Sequence, residues 1–142
     1  KNQKLGEVGE AKQGLATADN NRFLRLWNEV NYNKIGYNMS NSQEALESKK
    51  KWFPYNKGGE FRKWYGNQEY LVNWENDGYE IKNFKNAVIR NPSYYFKESI
   101  SWTDITSSGN SFRYYPKGFL YDVTGMSYFI DESKQKSIRY FK

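Results

Sequence analysis

Residues 51–78 read KWFPYNKGGEFRKWYGNQEYLVNWENDG, and this stretch constrains the fold more than any other. Trp52, Phe53, Tyr55, Phe61, Trp64, Tyr65, Tyr70 and Trp74 stand among Lys51, Lys57, Arg62 and Lys63, with Gly58-Gly59 at the centre. Rings in such number must pack into a core or lie against a flat partner. The cations supply charge, and the glycines let backbone amides come close to an anion. Nucleic acid is the partner class that uses all three together. For any single ring, a buried core strand with a hairpin turn is an equal alternative, and both readings apply to different residues of the segment.

A mean hydropathy of −1.02 and 27% charged residues would suit a disordered chain. With 5 Trp, 13 Tyr and 9 Phe in 142 residues, this chain can instead build its core from rings. The length suits one domain. No Cys is present, so no disulfide forms, and the absence of His as well argues against a zinc or copper site. No apolar run has the length of a membrane span and no signal peptide is visible, so the expectation is a cytoplasmic protein with no membrane partner. The first residue is Lys, which suggests a piece of a longer polypeptide. A net charge of +6 favours polyanionic partners.

Residues 1–12 read as a polar arm or edge strand. Thr17 or Asp19 can cap a helix carrying Phe23, Leu26, Trp27 and Val30 at helical spacing. Tyr32, Ile35 and Tyr37 suggest a strand over 31–38. Ser40 and Gln43 have capping-box spacing ahead of a helix over 42–50. A strand follows over 70–74, and Asp77 then caps a helix bearing Ile81, Phe84 and Val88. The second half is β-prone over 99–106, 112–115, 119–123 and 126–130, with turn chemistry at 107–110, 116–118 and 124–125. The whole predicts a single α+β domain, 1–130, with a mainly antiparallel sheet and a few short helices. Residues 131–142 read as a charged tail, the start of a further element.

The string at 51–78 resembles the segment that follows the catalytic domain in large adenine-specific DNA methyltransferases of BREX (PglX-type) phage-defence systems. Related restriction-modification fusion enzymes share it, and the likeness covers residues 14–129. GLATADN at 14–20 is similar to a G-L-x-T-G-D-N string that marks the exit from that catalytic domain, with Ala18 in place of its glycine. The resemblance implies a target-recognition region that grips double-stranded DNA and reads bases in the major groove. It implies an upstream methyltransferase domain on the same polypeptide, with S-adenosylmethionine as the parent's cofactor. The chain itself would be non-catalytic and hold no cofactor.

Lys57-Gly58-Gly59 can contact a backbone phosphate but lacks the spacing of a nucleotide P-loop. Arg62, Lys63, Arg113 and Lys117 are candidate phosphate or base contacts, against solvated charge as the alternative. Arg113 follows the turn at 107–110, from which it could be presented to a groove. Asn56 and Gln68 have the amide geometry for bidentate contact with adenine. Asn91-Pro92-Ser93-Tyr94 is similar to the Asn-Pro-Pro-Tyr loop of amino-methyltransferases but lacks the second proline, so it reads as a turn before Tyr95-Phe96. Asp122, Glu132 and Lys134 have the loose spacing of metal-dependent nucleases. The reading that follows is a sequence-specific double-stranded DNA-binding module. The alternatives are a module docking another defence protein, marked by Trp52, Trp64 and Trp74 on the surface, and a small metal-dependent nuclease.

Overall fold

The computed structural model describes residues 9–57, 68–103, 111–123 and 126–130. In chain order the elements are strand β1 (Gly9–Lys12), helix α1 (Asn20–Phe23), β2 (Leu24–Leu26), α2 (Ser42–Ser48), β3 (Trp52–Asn56), β4 (Tyr70–Asn73), α3 (Glu75–Lys82), β5 (Ser99–Thr103), β6 (Ser111–Tyr115), β7 (Leu120–Tyr121) and β8 (Met126–Ile130). Short 3-10 turns occupy Trp27–Glu29, Tyr32–Lys34 and Pro92–Tyr94. One sheet has the order β1-β8-β5-β6 and is antiparallel throughout; the other has the order β2-β4-β3-β7, with only β3–β7 parallel. The fold is α+β and mainly antiparallel, with two sheets where the sequence suggested one.

β3 sits between β4 and β7 although it contains Pro54, which can donate no ladder bond. The strand's alternation resolves this. The Trp52 and Asn56 carbonyls point away from β4, accepting from the N–H groups of Gly36 (2.8 Å) and Asp122 (3.0 Å). Pro54 shares their side, and β7 pairs only with Tyr55 and Asn56, so the missing N–H interrupts no β3–β4 bond. The same alternation splits the side chains. Phe53 and Tyr55 face the main core, whereas Trp52 faces a smaller cluster with Ile35 and Leu71.

The main core is built from rings in edge-on and tilted contact. Trp74 meets Tyr95 at 5.4 Å, Tyr95 meets Tyr121 at 5.4 Å, and Tyr121 meets Phe129 at 5.1 Å. Tyr121 belongs to one sheet and Phe129 to the other, so this file of rings joins the two. Burial pushes the phenols of Tyr55, Tyr95 and Tyr121 far above their ordinary range. Burial also raises Tyr115, to about 12, against the opposing effect of the Arg113 guanidinium. All four stay neutral near pH 7 and serve packing.

Four local expectations change. Asp19 does cap a helix, accepting from the Arg22 N–H at 3.2 Å, but α1 is a single turn. Leu24 then pairs with Val72, and this long-range β pairing replaces the predicted helix over Leu26, Trp27 and Val30. Residues 31–38 form no strand; a 3-10 turn and one parallel bridge, Ile35 to Trp52, stand there. Asn41, not Ser40, caps α2, accepting from the Glu44 N–H at 2.8 Å; the helix ends at Ser48, where left-handed Lys49 follows. Asp77 lies inside α3 in a left-handed turn with Asn76 and Gly78, and its carboxylate meets Lys82 at 3.1 Å. Asn91-Pro92-Ser93-Tyr94 is a turn, with Asn91 left-handed and Tyr95 and Phe96 buried after it. The tail at 131–142 and the arm before residue 9 lie outside the described residues.

Ala18 has φ 63, the left-handed region that favours glycine. Its neighbours over-determine the turn: Ala16 and Val88 exchange both backbone bonds at 2.8 and 2.9 Å, and Asp19 caps α1. Replacing Ala18 by Gly should relieve roughly 1–2 kcal/mol of strain, offset in part by the greater freedom of Gly in the unfolded chain. A net gain of about 0.5–1 kcal/mol is expected, read as a higher denaturant midpoint at unchanged slope. A loss would show that Ala18 is not strained.

Candidate nucleic-acid interface

The second face of the β2-β4-β3-β7 sheet is only partly covered. Pro54 and Leu71, directly paired across β3 and β4, form the floor of a cleft of about 220 Å³. Trp27, Tyr37 and Asn38 line it from the segment after β2, Gln68 from the entry to β4, and Pro116, Lys117 and Phe119 from the β6–β7 turn.

Each wall has a local cause. The Trp27 N–H donates to the Glu69 carbonyl at 2.9 Å, which holds its backbone beside the start of β4. The Glu29 carboxylate accepts from the Leu26 N–H at 2.7 Å and closes the 3-10 turn that turns Trp27 outward. Gly118 has φ +102, and a Cβ there would stand 2.9 Å from the Asn38 N; only glycine lets the Lys117 turn seat so close. Lys117 Nζ then donates to Ser40 Oγ at 3.1 Å.

The exposed side chains are aromatic. Trp27 is 56% exposed and Tyr32 75%, and Tyr32 lies 5.9 Å from the exposed Tyr37. Burial, and then the neighbouring Tyr32 phenol, raise Tyr37 above its ordinary range, so it stays a neutral donor. Cations stand beside it: Arg25 lies 5.3 Å and Lys51 5.8 Å from the Trp52 ring on this side of the sheet, while Lys57 Nζ sits 4.7 Å from the ring of Tyr70, which packs on the main core. Gln68 Nε2 is buried without a hydrogen-bond partner. Neutral stacking faces, an unused amide and cations can bind a planar, polar-edged anion.

The structure brings together part of the set read from sequence. Gln68 and Lys117 line the cleft; Lys57, just after β3, lies outside its lining and sits against the Tyr70 ring. Asn56 is only 5% exposed, so its amide does not reach a groove. Arg113 is 1% exposed and shares the inner face of β6 with Tyr115, while Tyr114 points out. It is buried between elements and presents no guanidinium to DNA. Gly58, Gly59, Arg62 and Lys63 lie outside the described residues, as do Trp64, the turn at 107–110, Glu132 and Lys134. Trp52 and Trp74 are buried, which removes them from any surface cluster. No group of three or more potential metal-ligating side chains occurs among the described residues, and no helix there is long and apolar enough to cross a membrane. Sequence reading missed Trp27 and Tyr37 as site residues. The polar run Asn31, Asn33 and Lys34 just after Trp27 was the available signal against a continuous apolar helix face.

An α+β module with such a cleft has the surface chemistry of binding, and its relatives show what it is part of: the chain is homologous to a segment of PglX-type adenine-specific methyltransferases. It is 42% identical over 136 residues, 91% of its length, to the adenine-specific methyltransferase PglX of Lacticaseibacillus casei (strain Zhang). It is 44% identical over 138 residues, 95% of its length, to the adenine-specific methyltransferase BrxX of Escherichia coli O9:H4 (strain HS). The chain spans 11% of the length of each of these relatives. No protein-family model matches it.

Proposed function

We propose that this chain is the target-recognition region of an adenine-specific DNA methyltransferase of a BREX-type phage-defence system, binding double-stranded DNA in a sequence-specific way. The methyltransferase domain of the same polypeptide would hold S-adenosylmethionine and carry out the methyl transfer in the cytoplasm; this chain would contribute grip and base discrimination. The observation that carries the reading is the meeting of Trp27, Tyr37, Gln68 and Lys117 in one cleft, with Arg25 and Lys51 beside Trp52 on the same side of the sheet, in a chain of net charge +6. Phosphate contacts fix position and are sequence-blind, whereas base contacts discriminate. Lys57 and Lys117 fit the first role and Gln68 the second. Arg62, Lys63 and the Gly58-Gly59 amides extend the phosphate track in this proposal.

Lys57→Ala and Lys117→Ala should each weaken binding to all duplexes alike. Each should also flatten the dependence of log affinity on log salt by about one unit. Gln68→Ala should instead narrow the gap between preferred and other sequences, by roughly 1–3 kcal/mol. Loss of affinity without any change in salt slope would remove both lysines from the phosphate track.

A second reading has one specific observation behind it. Leu26, Trp27 and Tyr32 are exposed on consecutive turns, a surface that also suits protein docking. A partner protein that competes with DNA for this face, and whose binding is insensitive to salt, would favour it.

A further inference from the structure

Contacts to phosphates and base edges use the cations of this face and leave the apolar part of the cleft without an occupant. Its walls include the rings of Trp27, Tyr37 and Phe119, and its floor is Pro54 and Leu71. Gln68 Nε2 is buried here with no hydrogen-bond partner, so the cleft holds a donor that lacks an acceptor. A ligand that supplies the acceptor recovers the free energy which that orphan costs. The floor belongs to the two inner strands, β3 and β4, with β2 and β7 outside them. An occupant therefore lies on the face of the sheet and adds no strand to it.

We infer that the cleft docks a proline-rich segment of a partner protein, held as a polyproline II helix and flanked by acidic residues. Such a helix makes no internal hydrogen bonds, so every carbonyl is free to accept. Its prolines carry no N–H that an apolar floor would leave unpaired. An acceptor-only ligand thus matches the orphaned Gln68 donor. Aromatic-lined grooves suit these segments because the ligand is already ordered and its flat rings pack on the walls. Charge completes the match. Lys117 lines the cleft, and Arg25 and Lys51 stand beside Trp52 on the same side of the sheet, in a chain of net charge +6. Carboxylates next to the proline run answer these cations. The peptide seat does not depend on the duplex reading, but both use Gln68 and Lys117, so each ligand excludes the other.

The probe is a fluorescent synthetic peptide with a central run of prolines and glutamates at both ends, titrated with the chain and followed by anisotropy. A second peptide has alanines in place of the prolines and keeps the glutamates. The proline peptide should bind more tightly than the alanine one, and unlabelled duplex should displace it. Trp27→Ala and Tyr37→Ala should each weaken binding of the proline peptide about tenfold or more, the loss expected of an anchoring ring. Gln68→Ala should weaken it about fivefold, the worth of one hydrogen bond. Tyr79→Ala, at an exposed ring on α3 that does not line the cleft, should change nothing. Equal affinity for the two peptides, no binding of either, or Trp27→Ala and Tyr37→Ala variants that bind like the unmodified chain would overturn the peptide seat. Duplex binding measured on the same samples separates the two readings. Duplex bound without peptide leaves duplex recognition standing alone, and peptide bound without duplex leaves the peptide seat alone.

Discussion

Trp74→Ala is expected to lower the free energy of unfolding by about 3–5 kcal/mol, the range for deleting a large core ring. Trp74 is 1% exposed, meets Tyr95 edge-on at 5.4 Å, and carries Lys82 Nζ 5.2 Å from its ring. It also ends the file of rings that ties the two sheets together, so the cavity opens at a junction that strands on both sides hold apart. Trp74→Phe should cost much less. It keeps an aromatic ring, and it deletes an indole Nε1 that is buried with no hydrogen-bond partner, so the penalty for desolvating that group disappears. Equilibrium denaturation of the two variants decides the matter. Equal, small losses for both would place Trp74 outside the core.

Gly14→Ala should be nearly as damaging, at about 3 kcal/mol or more. Gly14 donates its N–H to the Asp122 carbonyl at 3.2 Å, and Leu15 donates to the Tyr121 carbonyl at 2.9 Å. A Cβ on residue 14 would stand 1.8 Å from the Tyr121 carbonyl oxygen. The obstacle is backbone, and β3 fixes it from the other side through the Asp122 N–H bond to Asn56 at 3.0 Å. Relief therefore requires breaking the contact between residues 14–15 and β7. Two backbone bonds at about 1 kcal/mol each, plus overpacking of about 1–3 kcal/mol, give the estimate. A near-neutral Gly14→Ala would show that this contact is loose.

Elements governed by local chemistry were legible in the residues. Tyr70–Asn73 and Met126–Ile130 are β-prone runs between turn residues, and each is a strand. Asp19 was legible as a cap because capping is decided within three residues. The helix expected after it was not, because Phe23, Leu26, Trp27 and Val30 keep helical spacing while Leu24 pairs with Val72, 48 positions away. That competition is settled by tertiary pairing, which local spacing does not encode. The site divides the same way. Of the candidate residues, Gln68 and Lys117 line the cleft, and both stand beside turn or aromatic residues in the sequence. Arg113 looked available because it follows turn chemistry, yet its period-two partner is Tyr115, and both face inward on β6. Trp27 was misplaced for the same reason as its helix.

The central claim is that this face binds nucleic acid through its charges, and the salt dependence of duplex binding by the unmodified chain tests it most directly. Each neutralised phosphate releases a counterion, so log affinity should fall linearly with log salt concentration. If Lys57, Arg62, Lys63 and Lys117 are the phosphate contacts, as proposed, the slope should be about −3 to −4. Binding that is absent at low ionic strength, or that holds the same affinity across the titration, would contradict the account.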